Sequence, residues 1–452
     1  MSSLLRRIKT ALYGWADFPQ GTRILILSSH QAELAEADFV YGAEVAFQDI
    51  AAAAESDWAA RNAASFHFVL VSSDIEVLES PQAYFKAWRR FLRSDGRLLL
   101  GMNNRLGLRY FCGDQDPYTG QCFDGIDNYR MAYGKKEDVF RGRMYSRAEM
   151  RAMLQEAGFS SLKFYSVLPD LEHPAFLFAE DYLPNEDLAG RVFPFYHHPS
   201  SVFLEEEQLY SSLIDNGMFH QMANAYLVEC SLDGRHSDVE HVTCSAERGD
   251  EYGLYTIIHA SGLVEKKPIS PAGEERLRLV QANMDALSAR GIAVVPSTFV
   301  EGRIRMDFVK APMGTAYLRD LLFQDQEKFL AAMDRFAALI LRSSEHVRED
   351  AGDGEGVLLA KGYFDLVPLN CFVDGQFTFI DQEFVIPNYP ANVILTRMVD
   401  IAYSGNKEMQ KILPMEALLE RYGLTRYLGR WRRMSYEFLR DIRNLGPLRE
   451  VY

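Results

Sequence analysis

The chain has few cysteines and no long apolar run, and these shortages exclude several classes of protein. Its 452 residues include five cysteines, which are scattered and odd in number. They form neither a disulfide framework nor a C-x-x-C metal site, and they fit a reducing setting. No run of about 18 apolar residues occurs, so no transmembrane helix is predicted. We therefore expect a cytoplasmic protein without a membrane span.

Negative charge exceeds positive charge, with 63 Asp and Glu residues against 48 Lys and Arg residues. The formal net charge is -15, which argues against a protein that coats nucleic acid. The hydrophobic fraction of 48% and the charged fraction of 25% are normal for a globular protein. A chain of this length is expected to form two or three domains, each with a sizeable core.

The first 15 residues combine apolar residues at helical spacing with nearby basic residues. Two interpretations stay open: a helix docked on its own domain, or a helix that touches the inner membrane surface peripherally. The apolar positions are Leu4, Leu5, Ile8, Leu12 and Trp15.

The first half alternates apolar strands with helices, which is typical of an α/β domain with a mostly parallel sheet. Strands are predicted at 23–27, 66–71 and 97–102, with a helix over 81–92. Residues 183–201 are loop-like, so we predict domains over 1–190 and 200–452. His197-His198 in this loop suggests metal binding, but an ordinary loop pair is the simpler interpretation.

The second half has several strands, one helix and then a helical portion. Strands are expected at 225–230, 239–244, 252–259 and 262–268. A helix over 271–287 follows, and later helices lead to a predicted hairpin. This order is typical of an α+β fold with an antiparallel sheet beside a helical part.

Two acids and an asparagine gather around that hairpin. Asp365 and Asn370 lie five residues apart, and Asp381 follows an apolar run. The turn Asp374-Gly375-Gln376 would bring Asn370 and Asp381 side by side. Phosphoryl transfer needs one carboxylate to take the hydroxyl proton, and an Asn and an Asp to hold Mg²⁺ on the phosphates. The alternative is a hairpin with capping and surface acids.

This segment resembles the catalytic centre of the protein-kinase-like superfamily, especially aminoglycoside- and choline-kinase-type phosphotransferases. The resemblance implies that Asp365 is the catalytic base and that Asn370 and Asp381 bind the metal of Mg-ATP. It also implies a phosphate-binding lysine on a strand, with a glutamate as its partner. The candidates are Lys266, Lys267 and Glu274. A period-2 pattern this short leaves both lysines open, and a solvated charge pair is the alternative.

The first half carries a long run of motifs. Residues 98–113 (Leu-Leu-Leu-Gly-Met-Asn-Asn-Arg-Leu-Gly-Leu-Arg-Tyr-Phe-Cys-Gly) lead to Tyr118-Thr119-Gly120 and Phe123-Asp124-Gly125-Ile126. This run resembles bacterial SAM-dependent methyltransferase-like proteins that occur with surface-polysaccharide glycosyltransferases and have a kinase-like second half. The resemblance covers about residues 97–392. It implies a Rossmann-like class I methyltransferase-type domain, a glycan or lipid-linked glycan acceptor, and glycosyltransferases as partners.

The loop expected to bind SAM lacks glycine. A class I methyltransferase binds SAM through a Gly-rich loop after its first strand and an acid after the next strand. Here residues 27–33 read Leu-Ser-Ser-His-Gln-Ala-Glu, and Glu44 or Asp49 is the candidate acid. We therefore expect a degenerate domain in which SAM binding is weakened or lost.

Three hypotheses follow from these observations. The first is a transferase that modifies surface polysaccharide through an ATP-dependent kinase-like second half. The second is a SAM-dependent methyltransferase of the same pathway. The third is a non-catalytic scaffold, because Tyr363-Phe364 stands where aminoglycoside-kinase-type enzymes have His-Gly.

Overall fold

The computed structural model divides the chain into two compact units. It describes residue 8 and residues 11–28, 43–50, 57–72, 75–135, 137–184, 188–404 and 406–443. The first unit comprises Met1–Glu247 and Leu254–Ser261, and the second comprises Arg248–Gly253 and Gly262–Tyr452. This division differs from the boundary at 190–200 that the sequence suggested.

The described part of the first unit is built on one mixed sheet. Its strands follow the order β2-β1-β3-β4-β7-β5-β6-β8-β9. In chain order they are β1 (Arg23–Leu27), β2 (Glu44–Gln48), β3 (Phe66–Val71), β4 (Leu92–Asn103), β5 (Ser161–Leu168), β6 (Phe176–Ala179), β7 (Ala225–Ser231), β8 (Val239–Cys244) and β9 (Leu254–His259).

One half of this sheet is parallel and Rossmann-like. Strand β1 pairs in parallel with β2 on one side and with β3 on the other, and β3 pairs in parallel with β4. The strand order therefore reverses beside β1, and ligands of open α/β sheets bind outside the carboxyl ends of the strands at such a point. The α/β class predicted for the first half is confirmed.

The other half of the sheet explains where the first unit ends. Strand β7 lies between β4 and β5 and runs antiparallel to both. Strands β8 and β9 extend the same sheet beyond β6. Every residue of β7 is buried, so this strand forms the middle of the first unit although it follows the loop at 183–201.

Helices cover the apolar strands of the first unit, and local sequence signals set their ends. They are α1 (Asp57–Arg61), α2 (Pro81–Phe91), α3 (Leu108–Phe111), α4 (Arg147–Glu156) and α5 (Tyr210–Asp215). Helix α4 begins with a capping box between Ser146 and Glu149, and Gly158 follows its end with a φ of 94°. Helix α2 buries Phe85 and Trp88 completely, and full burial of such side chains stabilises a core by about 2–3 kcal/mol each.

The described residues of the N-terminal segment favour a docked helix. Ile8, Leu12 and Trp15 are buried, and the Trp15 ring packs 5.7 Å from that of Tyr165. Leu4 and Leu5 lie outside the described residues. In the part of the chain that is described, no helix has the length and apolarity needed to cross a bilayer. All five cysteines are free, as the sequence indicated.

The second unit has small antiparallel sheets and most of the long helices. Its strands form the orders β10-β12-β11 and β13-β14-β17, with β15 and β16 as a separate hairpin. They are β10 (Leu263–Pro268), β11 (Ser297–Val300), β12 (Arg303–Asp307), β13 (His346–Arg348), β14 (Leu358–Tyr363), β15 (Cys371–Asp374), β16 (Gln376–Phe379) and β17 (Val385–Pro390). The helices are α6 (Gly249–Tyr252), α7 (Glu274–Ala289), α8 (Gly314–Gln324), α9 (Gln326–Arg342), α10 (Ala391–Tyr403), α11 (Met409–Ile412), α12 (Met415–Arg421) and α13 (Leu428–Ile442).

The predicted hairpin is confirmed. Cys371 pairs with Phe379 and Asp374 pairs with Gln376, while Gly375 takes a φ of 71° that the tight turn requires. Phe377 and Phe379 pack edge-on against Phe336 of α9, with centroids 4.8 and 5.3 Å away. The hairpin therefore packs on the core of the second unit. The kinase-like assignment of this unit stays a prediction.

Candidate functional site

The structure brings a predicted lysine and a predicted acid into contact. The Nζ atom of Lys266, on β10, forms an ion pair with Oδ1 of Asp381, just after the hairpin. The Lys266 side chain is 6% exposed, and that of Asp381 is 26% exposed. The pair therefore lies at the edge of the interior, where Asp381 can still be reached from solvent.

The hairpin also places Asn370 next to Asp381. The amide nitrogen of Ile380 donates to the carbonyl of Asn370 at 2.9 Å, so the two strand ends are held together. The Nδ2 atom of Asn370 donates to the carbonyl of Asp365 at 3.2 Å. This orientation of the amide leaves Oδ1 of Asn370 as the atom that could coordinate a cation.

Asp381 has an unusual backbone conformation and a charged environment. Its φ is 60°, and a non-glycine residue in this region costs of order 1 kcal/mol and is enriched at functional sites. Burial alone would raise the pKa of its carboxyl group, but Lys266 and Arg248 outweigh this effect and hold the pKa below its usual range. The carboxylate is therefore ionised at neutral pH.

Asp365 is half-buried beside the hairpin. Its Oδ2 accepts a hydrogen bond from the backbone of Phe384 at 3.1 Å, and its carbonyl accepts another from Nε2 of Gln382 at 3.0 Å. Desolvation raises the pKa of its carboxyl group to about 6; Arg397 and Arg248 oppose the rise and Asp381 adds to it. The first bond orients the carboxylate, and the second holds the backbone of Asp365.

Two cations at this cluster were not identified from the sequence. Arg248 donates from Nη1 to Oε2 of Glu383 at 2.9 Å. Arg397, on α10, donates from Nε to the carbonyl of Phe364 at 3.2 Å and lies 3.8 Å over its ring. Neither arginine belongs to a recognisable motif.

The other two predicted nucleotide-binding residues are placed differently. Glu274, at the start of α7, pairs with Arg278 one turn along the helix at 2.6 Å, and not with Lys266. Lys267 is half-buried next to Lys266 on β10. Of the two lysines that the sequence left open, Lys266 is the one that contacts Asp381.

The donor set of this cluster suits Mg²⁺. Magnesium prefers oxygen ligands and is usually held by one or two carboxylates together with substrate phosphates. The ionised Asp381 and Oδ1 of Asn370 supply such oxygens. Among the described residues, no group of three His, Cys, Asp or Glu side chains forms a metal site.

The first unit has a separate candidate site at the carboxyl end of its parallel strands. Because Leu27 pairs in parallel with Gln48, the following Asp49 lies at the edge where β1 and β2 both end. Glu44 lies at the opposite end of β2 and pairs with Arg23 at 3.4 Å. Asp49 is therefore the better placed of the two acids. The glycine-free loop extends to residues 29–33, which lie outside the described residues.

The comparisons with known proteins give a distant likeness. No protein-family model and no curated protein matches the sequence. Among solved structures, the chain is similar to a SAM-dependent methyltransferase of Thermotoga maritima, with 13% identity over 51% of this chain and 91% of that chain and a TM-score of 0.27. The chain is also similar to a SAM-dependent methyltransferase of Archaeoglobus fulgidus. The identity is 14%, 46% of this chain and 86% of that chain are covered, and the TM-score is 0.26.

A third similar structure is phosphoethanolamine N-methyltransferase 2 of Haemonchus contortus in complex with S-adenosyl-L-methionine. The identity is 13%, 51% of each chain is covered, and the TM-score is 0.25. The chain thus has a distant structural resemblance to SAM-dependent methyltransferases over about half its length. A likeness at this level assigns no activity.

Proposed function

We propose that the second unit transfers a phosphoryl group from Mg-ATP to a hydroxyl group. The observation that carries this proposal is the ion pair between Lys266 and Asp381, next to Asn370 and Asp365. A phosphoryl-transfer site needs a phosphate-binding cation, oxygen ligands for the metal and a carboxylate for the hydroxyl proton. Residues from one strand, one hairpin and the loop before it supply these parts.

Each residue of the site has a distinct role. Asp365 accepts the proton of the attacking hydroxyl, and its hydrogen bond from Phe384 orients the carboxylate. Asn370 and Asp381 would hold Mg²⁺, which when bound neutralises charge on the transferring phosphates. Lys266 supplies a fixed positive charge beside Asp381 for the phosphates.

The acceptor class comes from the sequence resemblance. We infer a hydroxyl of a surface glycan or lipid-linked glycan, with glycosyltransferases of the same pathway as partners. Phosphate transfer to simple sugars and to lipid-linked oligosaccharides, measured with labelled ATP, tests this part. Transfer to water alone would contradict a glycan acceptor.

The proposal is tested by the Asp381→Asn variant. We expect Mg-ATP binding, measured by calorimetry, to be lost while the circular dichroism spectrum stays unchanged. Asp374→Asn is the matched control, because Asp374 is an exposed acid in the same hairpin. Mg-ATP binding that survives in Asp381→Asn would overturn the metal-ligand assignment.

The strand order favours a second candidate function, a SAM-dependent methyl transfer in the first unit. The order reverses beside β1, and Asp49 lies at the carboxyl edge where an acid binds the ribose of an adenosine cofactor. SAM would supply the methyl group, and Asp49 would hold the ribose hydroxyls. Calorimetric titration with SAM separates this candidate from a domain that keeps the fold without binding SAM.

A further inference from the structure

The turn at the start of the second unit is not glycine-rich. Proteins bind phosphates either with the backbone N–H groups of glycine-rich loops or with cationic side chains. The turn nearest the start of the second unit, 246–249, contains Gly249 as its single glycine. In this turn the group suited to a phosphate is therefore the side-chain cation of Arg248.

Arg248, in that turn, already reaches the charged cluster. Its Nη1 atom lies 2.9 Å from Oε2 of Glu383, two residues after Asp381. Arg248 is 24% exposed at its side chain, compared with 6% for Lys266. Of the two cations, Arg248 is thus the more accessible from solvent.

The cations of the cluster have acidic neighbours before any nucleotide binds. Three cations, Lys266, Arg248 and Arg397, face three carboxylates, Asp365, Asp381 and Glu383. Arg248 interacts electrostatically with all three of the carboxylates. An incoming polyphosphate competes with them for this arginine, whose planar guanidinium matches phosphate oxygens in a bidentate way.

We propose that Arg248 is a second phosphate-binding cation of this site and that Glu383 is its counter-ion when no nucleotide is bound. This inference rests on the proposed phosphoryl transfer and adds a second cation to its site. A purely structural Arg248–Glu383 pair is the alternative. If Arg248 binds phosphate, its replacement should weaken the binding of Mg-ATP more than that of AMP. A purely structural arginine should affect the two nucleotides equally.

The experiment compares Mg-ATP with AMP by calorimetry in the unaltered chain and in four variants. In Arg248→Met we expect at least a tenfold loss of affinity for Mg-ATP and little change for AMP. Arg248→Lys should be intermediate, because a lysine keeps the charge and loses the bidentate geometry. Glu383→Gln should bind Mg-ATP as tightly as the unaltered chain or more tightly, because the competing carboxylate is gone. Arg421→Met, which breaks an exposed pair with Asp334, is the control and should match the unaltered chain.

Removing Arg248 alone takes away the cation that donates a hydrogen bond to the buried Glu383, which can prevent folding. The double variant Arg248→Met, Glu383→Gln removes both charges and answers the question if the single variant does not fold. Wild-type affinity for Mg-ATP in either variant overturns the assignment of Arg248. If Lys266→Met then abolishes binding, the phosphoryl-transfer proposal survives without Arg248. Absence of Mg-ATP binding by the unaltered chain overturns both proposals together.

Discussion

Lys266 and Asp381 form an ion pair that joins a strand of the small antiparallel sheet to the end of a hairpin in the same unit. Nothing in the spacing of the two residues predicts their contact. Breaking a well-buried pair by removing one partner costs about 3–5 kcal/mol. The partial exposure of Asp381 reduces that cost, and the pair is therefore better placed to bind a ligand than to stabilise the fold.

Asp365 is expected to act in the chemical step and not in nucleotide binding. Asp365→Asn keeps an oxygen that can accept the hydrogen bond from Phe384, so the loop should keep its conformation. We expect kcat to fall by about 10²–10⁴, the usual contribution of a general base, with little change in the dissociation constant of Mg-ATP. Steady-state kinetics and calorimetry on the same preparation measure both. An equal loss in Asp374→Asn would contradict the assignment.

Gly362 precedes the site on β14 and has no room for a side chain. A Cβ atom there would lie 2.5 Å from Cβ of Tyr389 on β17, so Gly362→Ala should destabilise the protein by about 1–3 kcal/mol through overpacking. Gly429, on α13, has nothing within 4 Å of an added Cβ. Gly429→Ala should be neutral or stabilise by up to about 1 kcal/mol, because alanine favours helix. Urea unfolding compares the two, and an equal effect of both variants would contradict the close approach.

His241 should make the stability depend on pH. Burial and, to a smaller extent, Arg191 together lower its pKa to about 3, whereas an unfolded histidine has a pKa of about 6.5. Between these values the unfolded state binds more protons, so the free energy of unfolding falls as the pH drops from about 6.5 towards 3.

Replacing His241 separates this group from others that titrate in the same range. The His241 ring lies 4.4 Å from that of Phe178, and the phenyl ring of His241→Phe can pack there without taking up a proton. We expect a lower stability at pH 7, because the bonds to Leu177 and Thr243 are lost, and a shallower decline at lower pH. Urea unfolding at several pH values measures this slope. His198→Phe, at an exposed position, is the control and should leave the dependence of the free energy of unfolding on pH unchanged. If His241→Phe also leaves this dependence unchanged, other groups control it.

The two candidate ligands should respond to different residues. Asp381→Asn should change the binding of Mg-ATP and not that of SAM, because Asp381 belongs to the second compact unit. Asp49→Asn should leave Mg-ATP binding unchanged and weaken any SAM binding. Parallel titrations of both variants with both ligands test this separation. Loss of Mg-ATP binding in Asp49→Asn would contradict it.

The sequence predicted features that depend on local chemistry. The turn at Asp374-Gly375-Gln376 identified the hairpin, and the capping residues Ser146 and Glu149 identified the start of α4. These succeed because turn geometry and helix capping depend on a few adjacent residues.

Features set by long-range pairing could not be predicted in this way. Strand β7 follows a loop that looks like a domain boundary, yet it pairs between β4 and β5. No local signal shows into which sheet a strand inserts. The partner of Lys266, and the presence of Arg248 and Arg397 at the same cluster, likewise depend on how distant segments come together.

Thermal unfolding of the unaltered chain and of Asp381→Asn, each with and without Mg-ATP, tests the phosphoryl-transfer site most directly. A ligand that binds only the folded state stabilises it by about 2.7 kcal/mol at a hundredfold excess over its dissociation constant. We predict a higher midpoint with Mg-ATP in the unaltered chain and no shift in Asp381→Asn. No shift in the unaltered chain, or the same shift in both, would contradict a nucleotide site built around Lys266 and Asp381.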